Sequence, residues 1–120
     1  VADRAISSAD QVVTSLLTRV ECCRGLARAR LLGRITVQQE RAAVQMLESR
    51  AVGWNVLDMS ASVADRGRGA FPHEPVRTLD ALHLATAAVF LQALGSLTML
   101  SFDDRVRQNA AALGMPLVPA

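Results

Sequence analysis

The feature that most constrains the fold is a long apolar segment followed closely by a shorter one. From Leu79 to Leu94 nearly every residue is apolar or small, and such a helix is buried on more than one side. Thr78 is predicted to be its N-cap, and Gly95 offers the left-handed residue that ends many helices. Leu97–Leu100 has the length and composition of a buried strand. The segment therefore predicts a helix that covers a parallel sheet.

The rest of the chain repeats this alternation of helix and strand. Further strands are predicted at Gln11–Thr14, Trp54–Met59 and Pro116–Pro119, and further helices at Leu16–Leu32, Thr36–Val52, Ser60–Gly67 and from Phe102 to Leu113. Four glycines are predicted to end helices, and three of them lead quickly into a strand: Gly33, Gly53, Gly95 and Gly114. This rhythm predicts an α/β fold, a three-layer α-β-α sandwich with a mainly parallel sheet, formed by residues 1–120 as a single domain.

The composition is that of a folded protein. Its charge is compatible with nucleic-acid binding but does not by itself indicate it. Half of the 120 residues are hydrophobic, the net charge is +2, and all thirteen basic residues are Arg. Arginine suits bidentate contact with phosphate, although a codon bias would give the same composition. No apolar run is long enough to span a bilayer, and no signal peptide is recognisable. We therefore expect a cytoplasmic protein without a membrane partner.

The two cysteines are adjacent and do not have the spacing of a metal site. Cys22 and Cys23 lie side by side within a predicted helix, where neighbouring side chains point about 100° apart. An intramolecular disulfide between them is therefore not expected, and no Cys/His spacing typical of zinc is present. We expect both to be reduced core residues.

Three acidic residues are predicted to lie at one edge of the sheet. Asp80 is in the first turn of the apolar helix, Asp103 follows the Leu97–Leu100 strand, and Glu21 lies in the helix after the first strand. The carboxyl edge of parallel strands is where open α/β sheets bind ligands. Other interpretations remain open, because an Asp near a helix start is favoured by the helix dipole and Glu21 could pair with Arg24.

Two consecutive motifs resemble a known family. The segments RTLDALHLATA and LSFDDRVRQNAAALGMPLV are similar to the C-terminal half of PIN domains, most closely those of the VapC-like toxin ribonucleases of bacterial toxin–antitoxin pairs. SLLTRVECCRGL resembles the second acidic motif of that family. The resemblance extends from about Val12 to Val118. It implies a PIN-like fold and an acidic catalytic cluster of Glu21, Asp80 and Asp103, with Ser101 as the hydroxyl before the last acid and Asp104 as a substitute ligand.

The resemblance also implies a metal ion, a substrate and partners. Mg²⁺ and Mn²⁺ prefer carboxylate oxygens and keep several waters, and clustered carboxylates repel one another unless a cation is present. The implied activity is metal-dependent endoribonuclease cleavage, with Mg²⁺ or Mn²⁺ held by Glu21, Asp80, Asp103 and Asp104. The implied partners are an RNA substrate and a cognate antitoxin, and a homodimer is left open.

The first acidic strand of the family has no counterpart in these residues. PIN domains open with an apolar strand that ends in an Asp, well upstream of the Glu of the second motif, whereas only twenty residues precede Glu21. Asp3 and Asp10 do not follow an apolar run. The missing strand is the central one of the family's sheet, so we expect an N-terminally incomplete PIN-like domain.

Three interpretations of function remain open. The first is the metal-dependent ribonuclease, and the second is a non-catalytic PIN-like binding module that has lost the first acidic strand. The third is a generic α/β signalling domain in which the Asp residues are only helix caps. His83, one helical turn after Asp80, is expected to be a core residue or to support a metal ligand rather than to act as a general base.

Overall fold

The computed structural model describes all residues, 1–120, as six helices and four short strands. In chain order they are α1 (Ala2–Ser8), β1 (Val13–Ser15), α2 (Leu16–Leu31), α3 (Val37–Ala51), β2 (Asn55–Leu57), α4 (Ala61–Arg68), α5 (Thr78–Leu94), β3 (Met99–Leu100), α6 (Asp104–Ala112) and β4 (Leu117–Val118). Every predicted helix and strand is present, and the strands are shorter than the sequence predicts. None of the helices is both long and apolar enough to cross a bilayer.

The helices begin at side chains that accept hydrogen bonds from free backbone N–H groups. Ser15 Oγ accepts from the N–H of Leu17 at 3.2 Å, and Thr36 forms a capping box with Gln39. One predicted cap is wrong. Thr78 is already the first helical residue of α5, and the extended Arg77 before it is the N-cap, without a side-chain hydrogen bond. The predicted end of α5 is confirmed, because Gly95 has a φ of 81° and its N–H donates to the Leu91 carbonyl.

The strands pair in parallel, as predicted, but they form two separate two-stranded sheets. One sheet joins β1 to β2, with Val13 opposite Asn55, and the other joins β3 to β4, with Met99 opposite Leu117. No strand pairing connects β1 to β3. The chain therefore has the parallel α/β architecture expected from its sequence, with the sheet divided into two halves.

Helix α5 lies under both half-sheets and forms the centre of the core. It packs against α4, α6 and β1, and five of its residues are fully buried, including Leu84. Met99 of β3 and Leu117 of β4 pack against the core cluster to which α5 contributes Leu84. The prediction of a helix buried on more than one side is thus confirmed for the middle of α5, whereas Leu79 and Leu94 at its ends are about half exposed.

Helix α2 is more exposed than its apolar stripe suggests, which consists of Leu16, Val20, Cys23, Ala27 and Leu31. None of its residues is fully buried, and Val20 and Leu31 keep 55% and 75% of their surface in contact with solvent. The expectation that Cys22 and Cys23 are core residues is wrong, because Cys22 is exposed and Cys23 is half-buried. The reason is that α2 packs mainly on α3, which also has no fully buried residue.

The molecule exposes more surface than a folded chain of its mass usually does. A monomer of 12.8 kDa is expected to expose about 6,300 Å², whereas this chain exposes 7,814 Å². Only twelve residues are fully buried. The radius of gyration, 14.9 Å, also exceeds the roughly 13.6 Å expected for a domain of this length. The hydrophobic interior of the molecule is therefore incompletely covered.

Candidate metal-binding cleft

Asp80 projects from the first turn of α5, where the sequence places it. Its side chain is 22% exposed, and Oδ2 lies 3.6 Å from Nε of Arg77. Arg77 itself is 86% exposed, so this ion pair is bathed by water and weak. Asp80 is therefore a carboxylate at a helix start, where the dipole favours its charge. It has no ionic partner other than Arg77.

Glu21 lies across from Asp80 on α2 and contacts α5 rather than its own helix. Its Oε1 pairs with Nε2 of His83, and no ion pair forms with Arg24 at the helical spacing that the sequence left open. A carboxylate can only accept a hydrogen bond, so Nε2 of His83 carries the proton in this contact. The pair links α2 to α5 across a long separation in the chain.

Glu21 and Asp80 line one cleft of about 380 Å³, together with Arg77, Thr78 and Leu79. Two carboxylates and one exposed guanidinium thus share a space large enough for a hydrated cation and part of a ligand. Mg²⁺ is commonly bound in proteins by one or two carboxylates, with water and substrate phosphate completing its coordination. The donor set of this cleft therefore fits Mg²⁺ or Mn²⁺, with Glu21 and Asp80 as the residues that would hold the ion.

Asp103 and Asp104 lie outside this cleft. Asp103 is the N-cap of α6, where Oδ1 accepts from the N–H of Val106 at 2.9 Å, and its own N–H donates to Ser101 Oγ at 3.2 Å. Asp104 is in the first turn of α6. No three acidic, His or Cys side chains come close enough together to hold a metal. The structure therefore brings two of the predicted site residues together, and it does not bring Asp103 or Asp104 to them.

The division of the sheet explains this partial assembly. Glu21 lies in the helix after β1 and Asp103 follows β3, and these two strands belong to different half-sheets. Asp80 comes from α5, which packs on β1. The distance between the Glu21–Asp80 cleft and Asp103 thus depends on what lies between β1 and β3.

Two residues that adjoin predicted site residues in the sequence have defined surroundings. Partial shielding from water raises the pKa of the Cys22 thiol, and the neighbouring Cys23 and Glu21 charges add to this effect, so Cys22 is a protonated and weakly nucleophilic thiol at neutral pH. Arg105, which flanks Asp104 in the sequence, donates from Nη1 to the Glu74 carbonyl at 3.3 Å and thereby ties the loop before α5 to α6.

The contact between Glu21 and His83 could not be found from the sequence. The sequence places His83 one turn after Asp80, but it gives no signal that the side chain meets a residue of α2. A contact between two positions 62 residues apart depends on how α2 and α5 pack. Helical spacing and capping patterns in the sequence do not determine that packing.

Comparison with known proteins gives consistent similarities. Residues 1–112 match the family described as PIN domain. Ribonuclease VapC46 of Mycobacterium tuberculosis strain H37Rv is 37% identical over 106 residues, which make up 88% of this chain and 72% of that protein. Ribonuclease VapC35 of Mycobacterium tuberculosis strain CDC 1551 is 29% identical over 106 residues, 88% of this chain and 70% of that protein.

Proposed function

Because the chain belongs to the PIN-domain family, as its motifs indicated, we propose that the full-length protein is a metal-dependent endoribonuclease and the toxin of a toxin–antitoxin pair. Its relatives are named as ribonucleases. The observation that carries the proposal is the shared cleft of Glu21 and Asp80 beside Arg77. The cleft supplies hard oxygen ligands for a cation and a guanidinium for a phosphate within one small space.

Each residue of the cleft has a separate part in the proposed activity. Glu21 and Asp80 would hold the ion from two different helices. When bound, the ion supplies a water of lowered pKa and neutralises charge on the phosphodiester. Arg77 is exposed and lines the same cleft, so its guanidinium contacts a backbone phosphate of the RNA. Asp103 and Asp104 extend this acidic site from the other half of the sheet.

The proposal includes a further strand between β1 and β3. The N–H groups of Met99 and Ser101 donate to the carbonyls of Pro116 and Val118 at 2.8 and 3.2 Å, so the alternation of strand backbone directs the N–H of Leu100 away from β4. Each buried polar group left without a partner costs roughly 1–3 kcal/mol. A strand in this position would satisfy such groups on both half-sheets and cover part of the excess surface.

A segment that precedes Val1 in the full-length protein is the proposed source of this strand. Neighbouring strands lie about 4.8 Å apart, so one inserted strand sets β1 and β3 roughly twice that distance from each other. That spacing fixes the position of Asp103 relative to Glu21 and Asp80. An acidic residue at the carboxyl end of the inserted strand would complete the cluster, and its absence would favour the alternative, a PIN-like module that binds without cleaving.

The cleft also suggests how the activity is restrained. A small antitoxin that covers the Glu21–Asp80 cleft would exclude both RNA and metal-bound water from it. The antitoxin is proposed to act by occupying this site.

The generic signalling domain is not favoured, since nothing beyond the helix-start positions of the Asp residues supports it.

The experiment that tests the proposal is an RNA cleavage assay with the full-length protein. Purified protein is incubated with single-stranded RNA in Mg²⁺ or Mn²⁺, and a matched reaction contains excess EDTA. We expect cleavage that requires the divalent ion and stops when the antitoxin is added. Binding of RNA or antitoxin without any cleavage would support the non-catalytic module instead.

A further inference from the structure

His83 contacts Glu21 from outside the cleft that Glu21 and Asp80 share. Its Nε2 pairs with Glu21 Oε1, whereas the residues that line the cleft do not include His83. His83 lies three residues after Asp80 on α5, so one helix provides both Asp80 and the group that contacts Glu21. The position of one acid is thereby tied to the helix that carries the other.

We infer that His83 is a positioning residue, which holds the Glu21 carboxylate in place so that Glu21 and Asp80 can bind one divalent cation together. The inference rests on the proposed function and extends it. By donating from Nε2 to Oε1, His83 leaves the second oxygen of Glu21 available to the cleft. Hydrogen bonds to ligating carboxylates orient them and raise metal affinity.

Glu21 needs such support more than Asp80 does. Its side chain is 44% exposed and has one more rotatable bond than that of Asp80, and it comes from a helix without a fully buried residue. Asp80 is short, less exposed and fixed to the well-buried α5. A mobile carboxylate loses conformational entropy when it binds an ion, and prior contact with His83 removes part of that cost.

The simpler alternative is a hydrogen bond that only holds α2 against α5. His83 is 23% exposed, so the contact lies near the surface, where even charged pairs contribute little to stability. The two roles differ in what they predict. A pair that only joins helices affects the melting temperature and leaves metal affinity unchanged, whereas a positioning pair affects metal affinity, and this effect disappears when Glu21 is replaced.

The experiment measures Mn²⁺ affinity of the full-length protein by isothermal titration calorimetry or by the EPR signal of free Mn²⁺. The variants are His83→Ala, His83→Asn and His83→Gln. Gln places an amide N–H donor at a reach similar to that of Nε2, whereas the shorter Asn does not reach Glu21. His73→Gln is the matched control, because the contacts of His73 with Asn109 use its backbone. Circular dichroism confirms that each variant is folded.

We expect His83→Ala and His83→Asn to weaken Mn²⁺ binding about 10- to 100-fold, with His83→Gln close to the unsubstituted protein and His73→Gln unchanged. In a Glu21→Gln background, the His83 substitutions should have little further effect, as a double-mutant cycle requires for two coupled residues. If His83→Ala does not fold, the comparison of Asn with Gln gives the same answer.

Unchanged Mn²⁺ affinity in folded His83→Asn, together with weakened binding in Glu21→Gln, would overturn the positioning role and leave the proposed metal site standing. Equal losses of Mn²⁺ affinity in His83→Asn and His83→Gln would also overturn the positioning role, since the hydrogen-bond donor of Gln would then not restore metal binding. A protein that binds no Mn²⁺, or in which Glu21→Gln has no effect, would instead contradict the proposed function itself.

Discussion

Glu21 of α2 and Asp80 of α5 line the same cleft, although more than a third of the chain lies between their helices. The two carboxylates are brought together by the packing of α5 on β1, the strand that leads directly into α2. The cleft therefore depends on the half of the fold that contains β1 and β2. Asp103 depends on the position of the other half-sheet, and it caps α6 away from the cleft.

Replacement of Asp80 by Asn should abolish cleavage and leave the fold intact. The substitution removes a negative charge and almost no volume, and the only ionic partner of Asp80 is the exposed Arg77, so we expect the free energy of unfolding to change by less than about 1 kcal/mol. Activity should fall at least 100-fold. Asp65→Asn is the matched control, since Asp65 pairs with Arg68, also three residues away, at 3.8 Å and lies outside the cleft. Retained activity with a greatly lowered melting temperature would show that Asp80 is structural.

Replacement of Arg77 by Gln should weaken RNA binding more than the chemical step. Arg77 lines the cleft and is 86% exposed, which suits contact with a backbone phosphate. We expect KM to rise several-fold, kcat to change little and the salt dependence of binding to become shallower by about one charge. Arg68→Gln removes a comparably exposed arginine of α4 and should have no such effect. An equal effect of the two substitutions would indicate only a change in net charge.

The pair of Glu48 with Arg19 should make stability depend on pH. The Arg19 hydrogen bond and charge lower the pKa of Glu48 in the folded protein. A lowered folded pKa stabilises the protein above the pKa of the unfolded state, and this contribution is lost as the pH falls through the folded value. The melting temperature should therefore be higher than that of Glu48→Gln at pH 7, with the small difference vanishing at an acidic pH below the folded pKa of Glu48. A difference that is the same at both values would rule out this linkage.

The backbone N–H of Leu100 should be strongly protected from hydrogen exchange in the full-length protein. Met99 and Ser101 donate to β4, so Leu100 points toward the proposed strand between β1 and β3. A hydrogen bond to that strand would slow its exchange to a rate similar to that of Met99. Rapid exchange of Leu100, with slow exchange of Met99, would contradict a strand at this position.

The sequence predicted the features that depend on neighbouring residues. The left-handed Gly95 and the buried middle of α5 follow from local spacing and are confirmed. The exposure of individual helices to solvent was less predictable. The apolar stripe of α2 resembles a core-facing surface, but what a helix buries depends on the elements packed beside it, and α2 has mainly α3 beside it.

Contacts between residues far apart in the chain could not be predicted from local sequence patterns. The sequence placed Glu21 and Asp80 at the same edge of the sheet, and the structure brings them into one cleft. It gave no indication that Glu21 would meet His83 instead of Arg24, because helical spacing describes contacts within one helix only. The location of Asp103 relative to Glu21 was also undetermined, since it depends on the spacing between β1 and β3.

The most direct test of this account is a crystal structure of the full-length protein with Mn²⁺, in which anomalous scattering locates the ion. We predict one Mn²⁺ site in the cleft, with carboxylate oxygens of Glu21 and Asp80 both close to the 2.0–2.1 Å typical of such hard cations, and a strand between β1 and β3. An ion bound elsewhere, or a cleft in which Glu21 and Asp80 share no ion at millimolar Mn²⁺, would contradict the account.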